Sequence, residues 1–220
     1  MQYASLVTGG NSYLADRAVK AGAQHVEILP TVIDINRYAV KKIFSNDELV
    51  IGWVGSPSTV KYIQLVAPAL KELTHKYKFT LRVVGAETEI TGVNVICVPW
   101  TEDAEVSEIN KFDVGIMPLT DSPWERGKCG YKLIQYMACG IPVIGSPVGV
   151  NTEIIESADS GFLASTDSEW LLQLEQLFSD VALRKQLGQN GRIAVENSYS
   201  VQVLAPRLIQ LFEGIVGSGK

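Results

Sequence analysis

The sequence is poor in cysteine, in histidine and in long apolar runs. Of 220 residues only three are cysteine (Cys97, Cys129, Cys139) and two histidine (His25, His75). An odd cysteine count with no C-x-x-C pair argues against a disulfide framework or a zinc site and fits a reducing compartment. No stretch approaches membrane-spanning length, and the first residues lack the basic-then-apolar order of a secretory leader. The formal net charge of −5 argues against a sequence-independent nucleic-acid binder, which presents a basic surface. A small anionic ligand needs only a few local cations and is not excluded. The phosphate signatures G-x-x-x-x-G-K-[ST] and G-x-G-x-x-G are missing, as are internal repeats and low-complexity tracts.

What is present is ordinary globular material, 46% hydrophobic and 20% charged, enough for a sizeable core. Apolar runs alternate with helical spacing. Strands are expected at residues 49–54, 79–84, 93–98, 113–117, 142–144 and 161–163. Helices are expected at 60–77, 104–110, 131–139 and 151–157, at 168–197 with a break near Ser179–Asp180, and at 201–215. Residues 1–37 read as strand, helix, strand and loop. Asn46-Asp47-Glu48 interrupts before the core strands, which places a boundary near residues 38–48. Strand–helix alternation implies right-handed crossovers and a parallel sheet covered on both faces, a Rossmann-like α/β fold.

In such sheets ligands bind beyond the carboxyl ends of the strands, where the chemically interesting residues collect. In Gly55-Ser56-Pro57-Ser58-Thr59, Gly55 permits close backbone approach and the hydroxyls can donate. Lys61 adds a charge at the start of the next helix. The loop suits a phosphate; it equally suits an ordinary turn with a Ser/Thr cap. In the segment from Glu125 to Tyr136, Lys128, Lys132 and Gln135 share one face if the helix starts near Lys128. Arg126, Lys128 and Lys132 then crowd a helix N-terminus, where the dipole disfavours cations. Either an anion sits among them or the turn is simply solvated. Trp100 lines a pocket or caps the sheet, and Glu153 sits where a helix dipole favours it regardless of function. His75 reads as a surface residue and Cys129 as an inert small one.

The run Gly127-Lys128-Cys129-Gly130-Tyr131-Lys132-Leu133-Ile134-Gln135-Tyr136-Met137-Ala138-Cys139-Gly140-Ile141-Pro142-Val143-Ile144-Gly145-Ser146-Pro147-Val148-Gly149 resembles the signature of group 1 glycosyltransferases. Ile28-Leu29-Pro30-Thr31-Val32-Ile33-Asp34 resembles that family's crossing between domains, and Val54-Gly55-Ser56 through Lys61 its V-G-R loop with the following Lys. The resemblance implies the C-terminal half of a retaining enzyme of the GT-B type, which binds a nucleotide diphosphate sugar. On this reading residues 1–40 are a remnant of the N-terminal domain and the interdomain crossing. Residues 41–200 form the donor-binding domain, and 201–220 the C-terminal helix and tail. The acceptor would lie in a missing N-terminal domain, so the fragment alone is expected to be inactive in transfer.

The family's E-x7-E glutamates fall at Gly127 and Gln135, and its loop Arg at Ser56. Gly55, Ser56, Lys61, Trp100, Lys132, Gln135 and Glu153 are the expected substrate-binding residues, with Gln135 in the ribose-binding position. Arg126 and Lys128 are the candidates for a catalytic role, and with Glu125 for that of the missing first Glu. No metal or other cofactor is expected, since side-chain cations replace magnesium. Expected partners are the nucleotide sugar and the missing acceptor domain, and no nucleic acid. The expected location is cytoplasmic, with membrane contact at the inner face only through the missing domain. The rival readings are a nucleotide-sugar epimerase of the same architecture and a non-catalytic nucleotide-binding or interaction domain.

Overall fold

The computed structural model describes residues 1–42, 44 and 48–218. The chain opens with β1 (Val7–Gly9), α1 (Ser12–Lys20) and β2 (Val26–Ile28), a βαβ unit whose two strands pair in parallel. A second sheet follows, built from β3 (Leu49–Val54), β4 (Phe79–Val84), β5 (Val95–Val98), β6 (Val114–Met117), β7 (Val143–Gly145) and β8 (Gly161–Leu163). All its pairings are parallel, in the spatial order β5-β4-β3-β6-β7-β8. Counted from β3, that is the 3-2-1-4-5-6 order of a doubly wound Rossmann sheet. The expected fold class is therefore what the chain adopts. Of the proposed interruption, Asn46 and Asp47 lie outside the described residues.

The helices are α2 (Ala67–Leu73), α3 (Glu102–Ile109), α4 (Pro123–Arg126), α5 (Tyr131–Ala138), α6 (Asn151–Ala158), α7 (Asp167–Ser179), α8 (Val181–Ser198) and α9 (Val201–Ser218). Two differences from the sequence reading have local causes. The single helix expected over 60–77 divides into a 3-10 stretch, Val60–Leu65, and α2. Pro68 has no N–H to give to an interior turn, so it sits in the first turn of a new helix. The stretch 121–130, read as loop, contains α4. Ser122 caps it, Pro123 opens it and Glu125 stands three residues after the cap, which is the S-x-x-E pattern of a helix start.

The core lies on both faces of the large sheet. On one face Ile51 and Trp53 pack with Ile63, Leu70 and Leu73 of the 3-10 stretch and α2, and with Trp170, Leu174 and Phe178 of α7. On the other, Val54 and Phe112 pack with Leu133, Tyr136 and Met137 of α5 and with Ile154 of α6. Burial on both sides explains why β3 reads as a continuous apolar run.

The register around β3 also explains where the sheet opens. Gly52 pairs with Gly115 of β6, and aromatic rings occupy the space above them. A Cβ on Gly52 would lie 1.9 Å from the Phe112 ring, and one on Gly115 would lie 2.3 Å from Tyr136. The two rings meet edge-on, 5.9 Å apart. Beyond this pair the β3–β6 register ends, and the Val54 N–H donates to the Tyr136 hydroxyl at 2.8 Å. An aromatic hydroxyl thus satisfies the backbone where the strands part.

The βαβ unit docks beside this opening. Asn11 caps α1 by accepting from the Leu14 N–H at 2.9 Å. Its amide donates to the carbonyls of Arg126 at 3.2 Å and Lys128 at 2.9 Å. Further along, Ile33 forms a parallel bridge with Ser200, and Arg207 of α9 pairs with Glu27 at 2.8 Å. Among the described residues no helix is long and apolar enough to cross a membrane.

Candidate functional site

In a doubly wound sheet the ligand crevice lies where successive connections leave to opposite sides. Here that point is between the carboxyl ends of β3 and β6. Gly55 follows β3, and its N–H donates to Val84 of β4 at 2.9 Å. The neighbouring turn closes on it: Gly85 has φ +89, and a Cβ there would come within 2.3 Å of the Gly55 carbonyl. Glycine is required at 85 for both reasons. The loop then tightens through Ser56, whose hydroxyl lies 2.9 Å from that of Ser58, while the Thr59 hydroxyl donates to the Ser56 carbonyl at 3.1 Å. Ser56 and Ser58 are exposed and Thr59 is half-buried.

Across the crevice, α5 is capped by Gly130 in the left-handed conformation at φ +68. A glycine cap brings no side chain to accept from the first-turn N–H groups of α5. α5 begins at Tyr131, which leaves Lys128 in the turn before it. Of the three cations expected to crowd this helix end, Arg126 is turned away: its guanidinium forms two bonds to Asp121, at 2.6 and 2.7 Å. Lys61 takes its place. Lys128 feels Lys61, and Lys132 feels Lys128. Burial, with Lys128 adding to it, pushes the Lys132 ammonium down to about 8. Burial also lowers Lys128, against an opposing pull from Glu125, and Lys61 adds a smaller push in the direction of burial.

Aromatic faces carry these ammonium groups. Lys128 Nζ stands 4.4 Å and Lys61 Nζ 5.3 Å from the Tyr62 ring centroid. Lys132 Nζ stands 5.5 Å from the Trp53 centroid. Cation–π contacts stabilise such positions without consuming the donors. Tyr62 is held by its hydroxyl, which donates to buried Glu125, and the other Glu125 oxygen accepts from Ser122. These two hydrogen bonds, that of Ser122 first, hold the Glu125 carboxyl below its usual range. Burial, with Glu125 beside it, pushes the Tyr62 phenol up to about 12.

The remaining expected residues lie apart from the lysines. Trp100 is 48% exposed and lines a cavity of about 880 Å³ with Pro57, Gly85, Glu87 and Cys97, beyond the ends of β4 and β5. Gln135 is 2% exposed; its amide donates to the Tyr38 hydroxyl at 3.2 Å. Glu153 is exposed on α6 and lines a different cavity, of about 590 Å³, with Asn11, Tyr199 and Arg207. Cys129 packs under Gly10, where an added Cβ would meet its sulfur at 2.4 Å. Tyr62, Trp53, Tyr38 and Glu105 were not anticipated. Tyr62, next to Lys61, was the one within reach of a sequence argument. Among the described residues no group of three His, Cys, Asp or Glu side chains could hold a metal ion.

Comparison with known proteins places the chain in a family. Residues 48–180, more than half of the chain, match the family described as glycosyl transferases group 1. The chain belongs to that family. It is 28% identical over 182 residues to the capsular polysaccharide biosynthesis glycosyltransferase CapM of Staphylococcus aureus, covering 76% of this chain and 46% of CapM. It is 23% identical over 183 residues to the N-acetyl-alpha-D-glucosaminyl L-malate synthase of Bacillus anthracis, covering 80% and 48%. The chain thus spans about half the length of these relatives. Among solved structures it resembles Anabaena HepE in complex with UDP and glucose, with a TM-score of 0.78 at 17% identity over 96% of this chain and 64% of that one. That likeness is one of fold.

Proposed function

We propose that this group 1 glycosyltransferase chain holds the nucleotide-sugar donor for retaining transfer, with the diphosphate in the lysine crevice. One observation carries the reading. Lys61, Lys128 and Lys132 converge at the sheet's switch point, where Glu125 acts on Lys128. The surplus charge, beside the open end of α5, is what a diphosphate would neutralise. The reading gives the lysines the part that a bound cation plays elsewhere. As the bond from sugar to diphosphate breaks, negative charge grows on the leaving oxygen, and preorganised ammonium and backbone N–H groups stabilise it most at that moment. The nucleoside then extends towards the cavity at Trp100, and Gln135 underlies the ribose. The likeness to a protein seen with UDP supports a nucleotide ligand.

The test is calorimetry of the chain with UDP, GDP and ADP. One of them should bind, and Lys61→Ala with Lys132→Ala should weaken it by about 3 kcal/mol or more, since each charge-assisted hydrogen bond contributes roughly 1.5–3 kcal/mol. Equal affinity in the double variant refutes the assignment.

A further inference from the structure

Glu105 lies in the first turn of α3 and is 7% exposed. A buried carboxylate is expensive unless its oxygens are satisfied, and here both are. The Trp100 indole N–H donates to Oε2 at 2.7 Å, and the Tyr38 hydroxyl donates to Oε1 at 2.9 Å. The Tyr38 hydroxyl in turn accepts from the Gln135 amide at 3.2 Å. The Arg192 guanidinium donates to the Tyr38 carbonyl at 2.7 Å and to the Ala138 carbonyl at 2.6 Å, which fastens Tyr38 to the end of α5. One carboxylate therefore joins the wall of the β4–β5 cavity to α5, the helix that bears Lys132.

The consequence is directional. Trp100 is half exposed and follows the end of β5, and its indole N–H is fixed by the hydrogen bond to Glu105. Its indole N–H points inward to Glu105, which leaves a ring face to the cavity it lines. The cavity volume of about 880 Å³ exceeds what a nucleobase fills. Bases stack on aromatic faces whatever their hydrogen-bonding edge.

We infer that Glu105 is a positioning residue of the donor site, which fixes the Trp100 indole as the stacking wall of a nucleobase compartment in register with the lysine crevice. The inference rests on the donor-site reading above. It assigns Glu105 no contact with the ligand: Glu105 acts through Trp100.

Two probes separate the base compartment from the lysines, namely UDP and inorganic pyrophosphate. Pyrophosphate reads the lysines alone; UDP reads both. Calorimetry on the 220-residue chain should show UDP binding weakened tenfold or more by Trp100→Ala and by Glu105→Leu, with pyrophosphate affinity unchanged within twofold. A Leu at 105 is close in volume and offers no acceptor, so the tether to the Trp100 N–H is lost. Trp100→Phe keeps a ring but removes the N–H, and should weaken UDP severalfold while sparing pyrophosphate. This exposed-site variant also gives the answer if Glu105→Leu does not fold. In two-dimensional NMR the Trp100 indole N–H resonance should move on Glu105→Leu and on adding UDP, and stay in place with pyrophosphate. UDP affinity unchanged in all three variants, or UDP and pyrophosphate weakened alike, would overturn the inference. If neither probe binds the unaltered chain, the donor-site reading fails first and this one with it.

Discussion

Replacing Lys132 with Met should make the protein more stable and a worse ligand binder. The structure supplies both magnitudes. An ammonium whose ordinary value of 10.5 is pushed down to about 8 is disfavoured in the fold by about 3 kcal/mol at neutral pH. The sign follows from proton counting. Between pH 8 and 10.5 the unfolded chain keeps the Lys132 proton and the folded chain has released it, so stability rises with pH across that window. Below pH 8 both states hold the proton and the whole penalty is present. Met has similar length, fits against Trp53 and carries no charge. Lys132→Met should therefore gain up to about 3 kcal/mol at pH 7 in urea unfolding, with the gain shrinking above pH 8 and gone near 10.5.

Binding should move the other way. A diphosphate restores the ammonium form, so the affinity of the unaltered chain should fall about tenfold between pH 7 and pH 9 as Lys132 deprotonates near 8. In Lys132→Met that step should vanish and affinity at pH 7 should drop ten- to a hundredfold, about 1.5–3 kcal/mol. Calorimetry with UDP at pH 7, 8 and 9 reads both effects. A variant that is less stable at pH 7, or an unaltered chain with flat affinity from pH 7 to 9, would refute the reasoning.

Asn11→Ala removes the α1 cap and both ties to the carbonyls of Arg126 and Lys128; it should cost about 2 kcal/mol in thermal unfolding and weaken nucleotide binding by loosening the Lys128 turn. Gly130→Ala forces a side chain into the left-handed region at φ +68, with its Cβ 2.2 Å from Ile154 Cδ1, and should destabilise by about 2 kcal/mol in urea titrations. Gln135→Glu should destabilise by about 2–4 kcal/mol at neutral pH through an unpaired buried charge, with the deficit shrinking on acidification; a variant as stable as the parent at pH 7 would contradict the network drawn around Tyr38.

Much of the scaffold was legible because its signals are local. The runs at 49–54, 79–84 and 114–117 are buried on both faces, and their short length and β-branched content mark them as strands. Lys61 and Lys132 were singled out because strand ends are where a parallel sheet binds, and in the fold each stands over an aromatic ring. The pattern of apolar spacing continues through Pro68, so the break there required weighting the proline over the period. Arg126 was misplaced for a different reason: its charge was visible, but the bidentate pairing with Asp121 depends on how α4 turns. The polar chain through Tyr38 joins positions 67 and 97 residues apart, and no periodicity connects them.

That chain gives physical sense to a departure that looked like loss. On the resemblance drawn from the sequence, Gln135 takes the place of a glutamate in the group 1 signature. The Tyr38 hydroxyl has one proton, and it goes to Glu105. Tyr38 then has lone pairs to offer and needs a donor opposite, which the Gln135 amide supplies. Two carboxylates flanking one phenol would compete for that proton and repel each other where burial already holds the phenol in its protonated form. Glutamate at 105 and glutamine at 135 are therefore a matched pair, and each choice makes sense only with the other. The carboxylate stands against the Trp100 indole, and the residue three positions after Lys132 on α5 is neutral. With a neutral residue at 135, the net positive charge of the lysine crevice is left for a ligand to balance.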